Sequence, residues 1–127
     1  MDFEENIYYS PEKWGLTPVA DIDWSDGDYV FDYRCVWKDA NGVFYTARDS
    51  GCSCPSPFED YCDMASLDRL DLTVLEAECR ALGDSYSQHR TNAEAMAFLS
   101  TVQVAVEAER KSRISLGEAL WERVKQL

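Results

Sequence analysis

Three of the five cysteines stand close together, in the stretch Asp49-Ser50-Gly51-Cys52-Ser53-Cys54-Pro55-Ser56-Pro57-Phe58-Glu59-Asp60-Tyr61-Cys62. Thiols at this density suggest a metal centre first. Cys52 and Cys54 form a Cys-x-Cys pair, Cys62 follows after seven intervening residues, and Cys35 lies upstream. A structural zinc ion takes four such soft ligands in a tetrahedron, usually from knuckles of the form Cys-x2–4-Cys. The Cys52/Cys54 spacing departs from that pattern. The reading without a cofactor is therefore preferred, and a zinc-stabilised module on Cys35, Cys52, Cys54 and Cys62 is the alternative.

Nucleophilic catalysis is the second chemistry. Gly51-Cys52 after a strand would present a thiol on a tight turn, and a reactive thiol needs a base or a positive field to lower its pKa. The neighbouring charges are Asp49, Glu59 and Asp60, which act in the opposite sense, and the sole histidine, His89, is distant in sequence. A cysteine-dependent enzyme on this loop is part of the alternative, and the preferred reading is not an enzyme. No phosphate-binding glycine loop, Gly-x-Ser-x-Gly or His-Glu-x-x-His motif occurs. The carboxylates of Asp21, Asp23, Asp26 and Asp28 invite a calcium reading. It fails because placing Gly27 at the sixth loop position puts Ile22 at the first, where an oxygen ligand is required.

Recognition is the third. Pro55 and Pro57 stiffen the loop, and Phe58 and Tyr61 are apolar anchors among acids such as Asp60. A pre-organised loop of this kind binds a partner at reduced entropic cost. The competing reading is that the two rings close the core of their own chain. Cys52, Cys54, Pro55, Pro57, Phe58, Asp60 and Tyr61 form one candidate binding set, and Asp21, Asp23, Asp26 and Asp28 form a second.

The elements that would position these residues divide at the loop. Residues 1–62 read as strands and 63–127 as helices, within one domain of 127 residues. Ser10-Pro11 opens a turn, with Trp14 and Leu16 tucked on the core. Thr17 to Trp24 is a strand with Ala20, Ile22 and Trp24 inward. Asp28 to Lys38 alternates, with Tyr29, Phe31, Tyr33, Cys35 and Trp37 on an apolar face and Val30, Asp32, Arg34, Val36 and Lys38 on a polar one. After Asp39-Ala40-Asn41-Gly42, a three-residue loop with a glycine bulge puts Val43, Tyr45 and Ala47 with the aromatics. A two-residue loop would reverse every side chain, so the cleaner segregation decides the register. This third strand ends near Asp49.

Beyond the loop, Asp63 to Leu72 reads as a short helix. Thr73-Val74-Leu75-Glu76, Thr91-Asn92-Ala93-Glu94 and Ser115-Leu116-Gly117-Glu118 each match a capping box, opening helices to about Leu82, over 93–112, and from 115 to the end. Leu75, Cys79 and Leu82 form a stripe, as do Met96, Leu99, Val102 and Val106, and then Leu116, Leu120, Val124 and Leu127. The fold class expected is α+β: a three-stranded antiparallel meander followed by about three helices packed on its apolar face.

Net charge is −12, and it is uneven: residues 1–63 hold 14 acids and 4 bases, and the remainder 10 and 8. Direct contact of nucleic acid with the strand half is disfavoured by repulsion of the phosphates, so no direct nucleic-acid binding is expected, whereas a basic or nucleic-acid-binding protein would be attracted. No apolar run reaches the length of a membrane span. The acidic start does not read as a signal peptide, so reduced thiols and a cytoplasmic setting are expected.

Tyr9-Ser10-Pro11-Glu12-Lys13-Trp14-Gly15-Leu16, Val36-Trp37-Lys38-Asp39 and above all Asp49 to Tyr61 resemble a family of small proteins encoded by tailed phages of actinobacteria. The likeness covers about residues 8 to 75. It implies a phage protein in the cytoplasm of a bacterial host, and it carries over no catalytic residue. Taken together, these readings give a small acidic accessory protein that binds a host or phage protein, with inhibition by nucleic-acid mimicry as one version.

Overall fold

The computed structural model describes residues 6–25, 30–52, 58, 60–84 and 92–126, with the side chains at 52, 83 and 84 outside that set. Four strands form one antiparallel sheet: β1 (Thr17–Asp23), β2 (Val30–Lys38), β3 (Phe44–Cys52) and the two-residue β4 (Asp68–Arg69), in the order β1-β2-β3-β4. Two helices follow, α1 (Leu72–Asp84) and α2 (Asn92–Lys125), and 3₁₀ turns lie at Pro11–Trp14 and Met64–Ser66. The fold is thus α+β. The stretch expected to be a short helix after Asp63 is instead the Met64–Ser66 turn and the edge strand β4. Each of the last two expected helices is a part of α2.

The β2–β3 hairpin takes the bulged register. Lys38 pairs with Phe44, Trp37 with Tyr45 and Cys35 with Ala47. The Asp39 N–H donates to the Val43 carbonyl (2.9 Å) and the Gly42 N–H to the Asp39 carbonyl (3.1 Å). Gly42 has φ +78°, the left-handed angle that this bulge needs. The Asp39 carboxylate stiffens the turn by accepting from the Asn41 and Val43 N–H groups, each at 2.9 Å.

Both faces of the sheet are buried, and the helices cover the unexpected one. Against α1 and α2 lie Ala20, Ile22, Val36 and Phe44, packed with Leu75, Cys79, Phe98, Leu99 and Val102. Alternation placed Val36 and Phe44 on a polar face. That face also carries Arg34, which is buried at 4% exposure with Nη1 donating to Asp32 Oδ1 at 2.8 Å. Pairing makes a buried guanidinium tolerable, although its Nε has no partner among the described residues. The aromatic face of Tyr33, Cys35, Trp37, Tyr45 and Ala47 is covered instead by Ile7, Tyr8, Trp14 and Leu16 before the sheet and by Phe58, Tyr61, Met64 and Leu67 after β3. Three layers result, with the sheet in the middle.

Helix α1 starts at Leu72, one residue before the expected capping box. Its cap is Asp71, whose Oδ1 accepts from the Thr73 N–H (2.9 Å) and, at 3.4 Å, the Val74 N–H. No helix is long and apolar enough to cross a membrane, among the described residues.

Candidate functional site

Two described residues of the candidate loop, Phe58 and Tyr61, help to close the core. Phe58 is fully buried and has φ +59°, a left-handed angle uncommon for a residue with a side chain. Its main chain is held at both ends: the Phe58 N–H donates to Asp49 Oδ2 (2.8 Å), and its carbonyl accepts from Asn6 Nδ2 (2.5 Å) and the Tyr61 N–H (3.0 Å). Asn6, itself fully buried, also accepts at Oδ1 from the Tyr8 N–H (2.9 Å). The Ile7 N–H donates to the Tyr61 carbonyl (2.9 Å). Asparagine and aspartate thus anchor the loop at Phe58, so the strained angle is over-determined by its surroundings.

Among the described residues, four other rings stand around that of Phe58. Tyr8 stacks at 4.9 Å, Tyr61 meets it edge-on at 5.0 Å, and Trp37 and Tyr33 lie at 6.2 and 6.3 Å. Tyr61 is half-buried, and its Oη donates to the Arg48 carbonyl (3.0 Å). Of the two readings of Phe58 and Tyr61, closure of their own core is the one observed. Asp60 is exposed beside them. Cys54, Pro55 and Pro57 lie outside the described residues.

Of the thiols, Cys35, Cys62 and Cys79 are described in full, whereas Cys54 and the side chain of Cys52 lie outside the described residues. Cys52 ends β3, paired with Val30, rather than standing on a turn after the strand. Gly51 lies within β3 at an ordinary angle. It makes room for a ring: a Cβ there would come within 3.3 Å of Phe31 Cζ. Cys35 is buried on the aromatic face, and burial, reinforced by Asp21, pushes its thiol pKa up, which disfavours the thiolate that metals and electrophiles require. Cys62 is exposed, and Cys79 is buried under α2 with its pKa also raised by burial. Among the described residues no group of three His, Cys, Asp or Glu side chains could hold a metal ion. His89 is outside the described residues.

Of the second candidate set, the acids, two members are described, both on β1. Asp21 is exposed on β1. Asp23 Oδ1 accepts from the Ser25 and Asp32 N–H groups at 3.0 and 3.1 Å, so it serves the β1–β2 connection. Asp32 is paired with Arg34. Asp26 and Asp28 lie outside the described residues. No continuous row of carboxylates stands in for a phosphate backbone among the described ones.

What sequence reasoning missed is the outer edge of β1. Among the described residues, strand β1 has a neighbouring strand, β2, on one side only. The Trp24 N–H reaches the Asp32 carbonyl (2.7 Å), so by alternation Ile22 and Ala20 bond β2, and Asp21 and Asp23 turn their main-chain groups outward. A cleft borders this edge on each face of the sheet. One, of about 450 Å³, is lined by Tyr8, Tyr9, Pro18, Asp21, Cys35 and Trp37 among others. The second, of about 600 Å³, is lined by Ile22, Asp23, Glu94, Ala97, Phe98 and Thr101 among others. Tyr8 Oη stands 3.4 Å from Asp21 Oδ2, and its pKa is raised, by burial first. Pro18 is the signal that could have found this: a proline within a strand marks a sheet edge.

No curated protein and no solved structure matches this chain. A family of domains of unknown function matches residues 5–111, which takes in the sheet, the aromatic closure, α1 and the first part of α2. By that match the chain belongs to the DUF7574 family.

Proposed function

We propose that this chain is an accessory protein of a tailed actinobacterial phage, acting in the host cytoplasm by binding a host or phage protein along the outer edge of β1. The observation that carries the reading is an open strand edge with a cleft on each face. An extended segment added there would exchange main-chain hydrogen bonds with Asp21 and Asp23. Its alternate side chains would enter the two clefts in turn, which is the logic of strand addition. Charge selects the segment. Asp21 and Asp23, which line the second cleft along the edge, favour lysine or arginine. The same carboxylates disfavour edge-to-edge pairing of two copies, while Pro18 and the register shift between Pro18 and Ala20 blunt the start of the strand. A basic partner also fits the net charge of −12.

The probe is an eight-residue peptide of alternating valine and lysine, titrated calorimetrically at low and high salt. Binding is expected to weaken at least about fivefold at high salt, because exposed charge pairs are screened. Asp21→Asn should remove most of that salt dependence. Asp21→Pro, which deletes an outward N–H without touching the β2 ladder, should abolish binding. Absence of binding, or binding indifferent to Asp21→Pro and to salt, would refute the edge as the docking site.

A further inference from the structure

Helix α2 outruns the body it packs on. Its 34 residues span about 51 Å, at 1.5 Å each. The first half is core: Ala95, Phe98, Leu99 and Val102 are buried. At the hairpin tip Glu109 and Arg113 pack over Gly42, and Glu109 pairs with Lys38 at 3.6 Å. From Arg110 to Gln126 every residue is exposed.

The apolar face does not stop where the body does. Eighteen residues make five helical turns. Leu116, Leu120 and Val124 therefore repeat the directions of Phe98, Val102 and Val106, and they continue the core-facing stripe past the end of the sheet. Ile114 and Trp121 widen it on one side. These five side chains are 46–61% exposed, although Lys125 sits over the Trp121 ring at 5.6 Å. Gly117 stands among them with no atom within 4 Å of where its Cβ would be. A projecting helix with an interior glycine and an uncovered apolar stripe has no packing of its own to support it.

We infer that a second copy of this chain covers the stripe, with the two distal α2 segments paired antiparallel about Leu120. The stripe is self-complementary in that arrangement. Leu120 meets Leu120 of the second copy, and Leu116 meets Val124 of the second copy, as a two-fold interface requires. Charge sets the direction. Residues 1–109 carry 22 acids and 7 bases, whereas residues 110–127 carry 2 acids and 5 bases. Parallel helices would bring two strongly acidic bodies side by side. Antiparallel helices centred on Leu120 hold the two Glu109 positions about 33 Å apart along the axis, several Debye lengths at physiological salt. They also carry Arg123 and Lys125 of each copy toward the acidic body of the other. The apolar surface offered is on the order of 500 Å² per copy, so the pair buries roughly 1,000 Å². That lies below the usual size of stable specific interfaces and fits a weak, reversible dimer. The stripe lies beyond the residues that match the DUF7574 family, and it is independent of the β1 edge.

Sedimentation equilibrium of the full chain from 1 to 300 μM tests this. The expected result is a monomer–dimer equilibrium. Leu120→Glu, which places two carboxylates at the two-fold axis, raises Kd at least about 100-fold while leaving the far-ultraviolet circular dichroism of the body intact. The direction is tested by mixing. Leu116→Lys and Val124→Glu should each fail to dimerise alone and should dimerise when combined, because only antiparallel pairing brings residue 116 onto residue 124. A wild-type monomer at 300 μM, or a dimer indifferent to Leu120→Glu, overturns the proposal. So does a mixture of the two variants that stays monomeric, or a monomer that instead co-sediments with phosphatidylglycerol vesicles.

Discussion

Replacing Phe58 with alanine separates a core closure from a partner anchor. The ring is fully buried and, among the described residues, has four aromatic neighbours with centroids between 4.9 and 6.3 Å. Removing such a ring from a core costs about 3–5 kcal/mol in lost transfer energy and cavity formation. Alanine leaves the backbone bonds to Asp49 and Asn6 in place and keeps the left-handed angle, so the loss reports packing alone. With a urea m-value of about 2 kcal/mol/M for a chain of this size, a loss of about 4 kcal/mol lowers the unfolding midpoint by roughly 2 M. That is a large part of the ~5–15 kcal/mol that stabilises a typical domain. The assay is urea denaturation followed by tryptophan fluorescence and circular dichroism. Val74→Ala, at an exposed position on α1, is the control and should shift stability by no more than about 0.5 kcal/mol. A Phe58→Ala loss below about 1 kcal/mol is what a solvent-facing recognition residue would give, and it would refute the closure.

Two further outcomes follow from the local geometry. Asp71→Ala should destabilise the protein by about 1 kcal/mol, since it removes the acceptor for two N–H groups at the start of α1, and Thr73→Ala should cost distinctly less. Thermal or urea unfolding of the two variants measures the difference. The second concerns pH. Burial raises the folded-state pKa of Cys35 above its ordinary 9.0, with Tyr8 raised above 10.0 in the same way. The unfolded chain therefore loses these protons first, and stability is fully present below about pH 9 and declines as pH rises beyond it. Cys35→Ala should flatten that decline between pH 8 and 10.5, and an equal decline in both proteins would contradict the assignment.

The register of the β2–β3 hairpin was legible because one glycine-bulged loop segregates the side chains of both strands and the competing loop does not. The stripes of α1 and of the first half of α2 were legible because helical periodicity is local. The capping boxes were less informative. Ser115-Leu116-Gly117-Glu118 has the composition of a helix start, yet α2 runs through it, since a continuous helix already satisfies the main-chain groups that a cap would serve. Thr73 likewise yields to Asp71, two residues earlier. The mixed face of β2 was misjudged because alternation counts residue types. Val36, Phe44 and an Arg34 neutralised by Asp32 together make a surface that helices can cover.

The candidate site divides in the same way. Composition and spacing by themselves determined an acidic chain of strands followed by helices, with a distinctive Cys/Pro loop between them. Only the tertiary structure decided that Phe58 is part of the core. Phe58 is held by Asn6, 52 positions away in the chain, and packed by Tyr8 and Trp37. Contacts of that separation leave no periodic trace in sequence. The tertiary structure also decided which strand keeps an open edge and where α2 leaves the body. Both depend on where neighbouring elements end, and the pattern within any one element cannot record that.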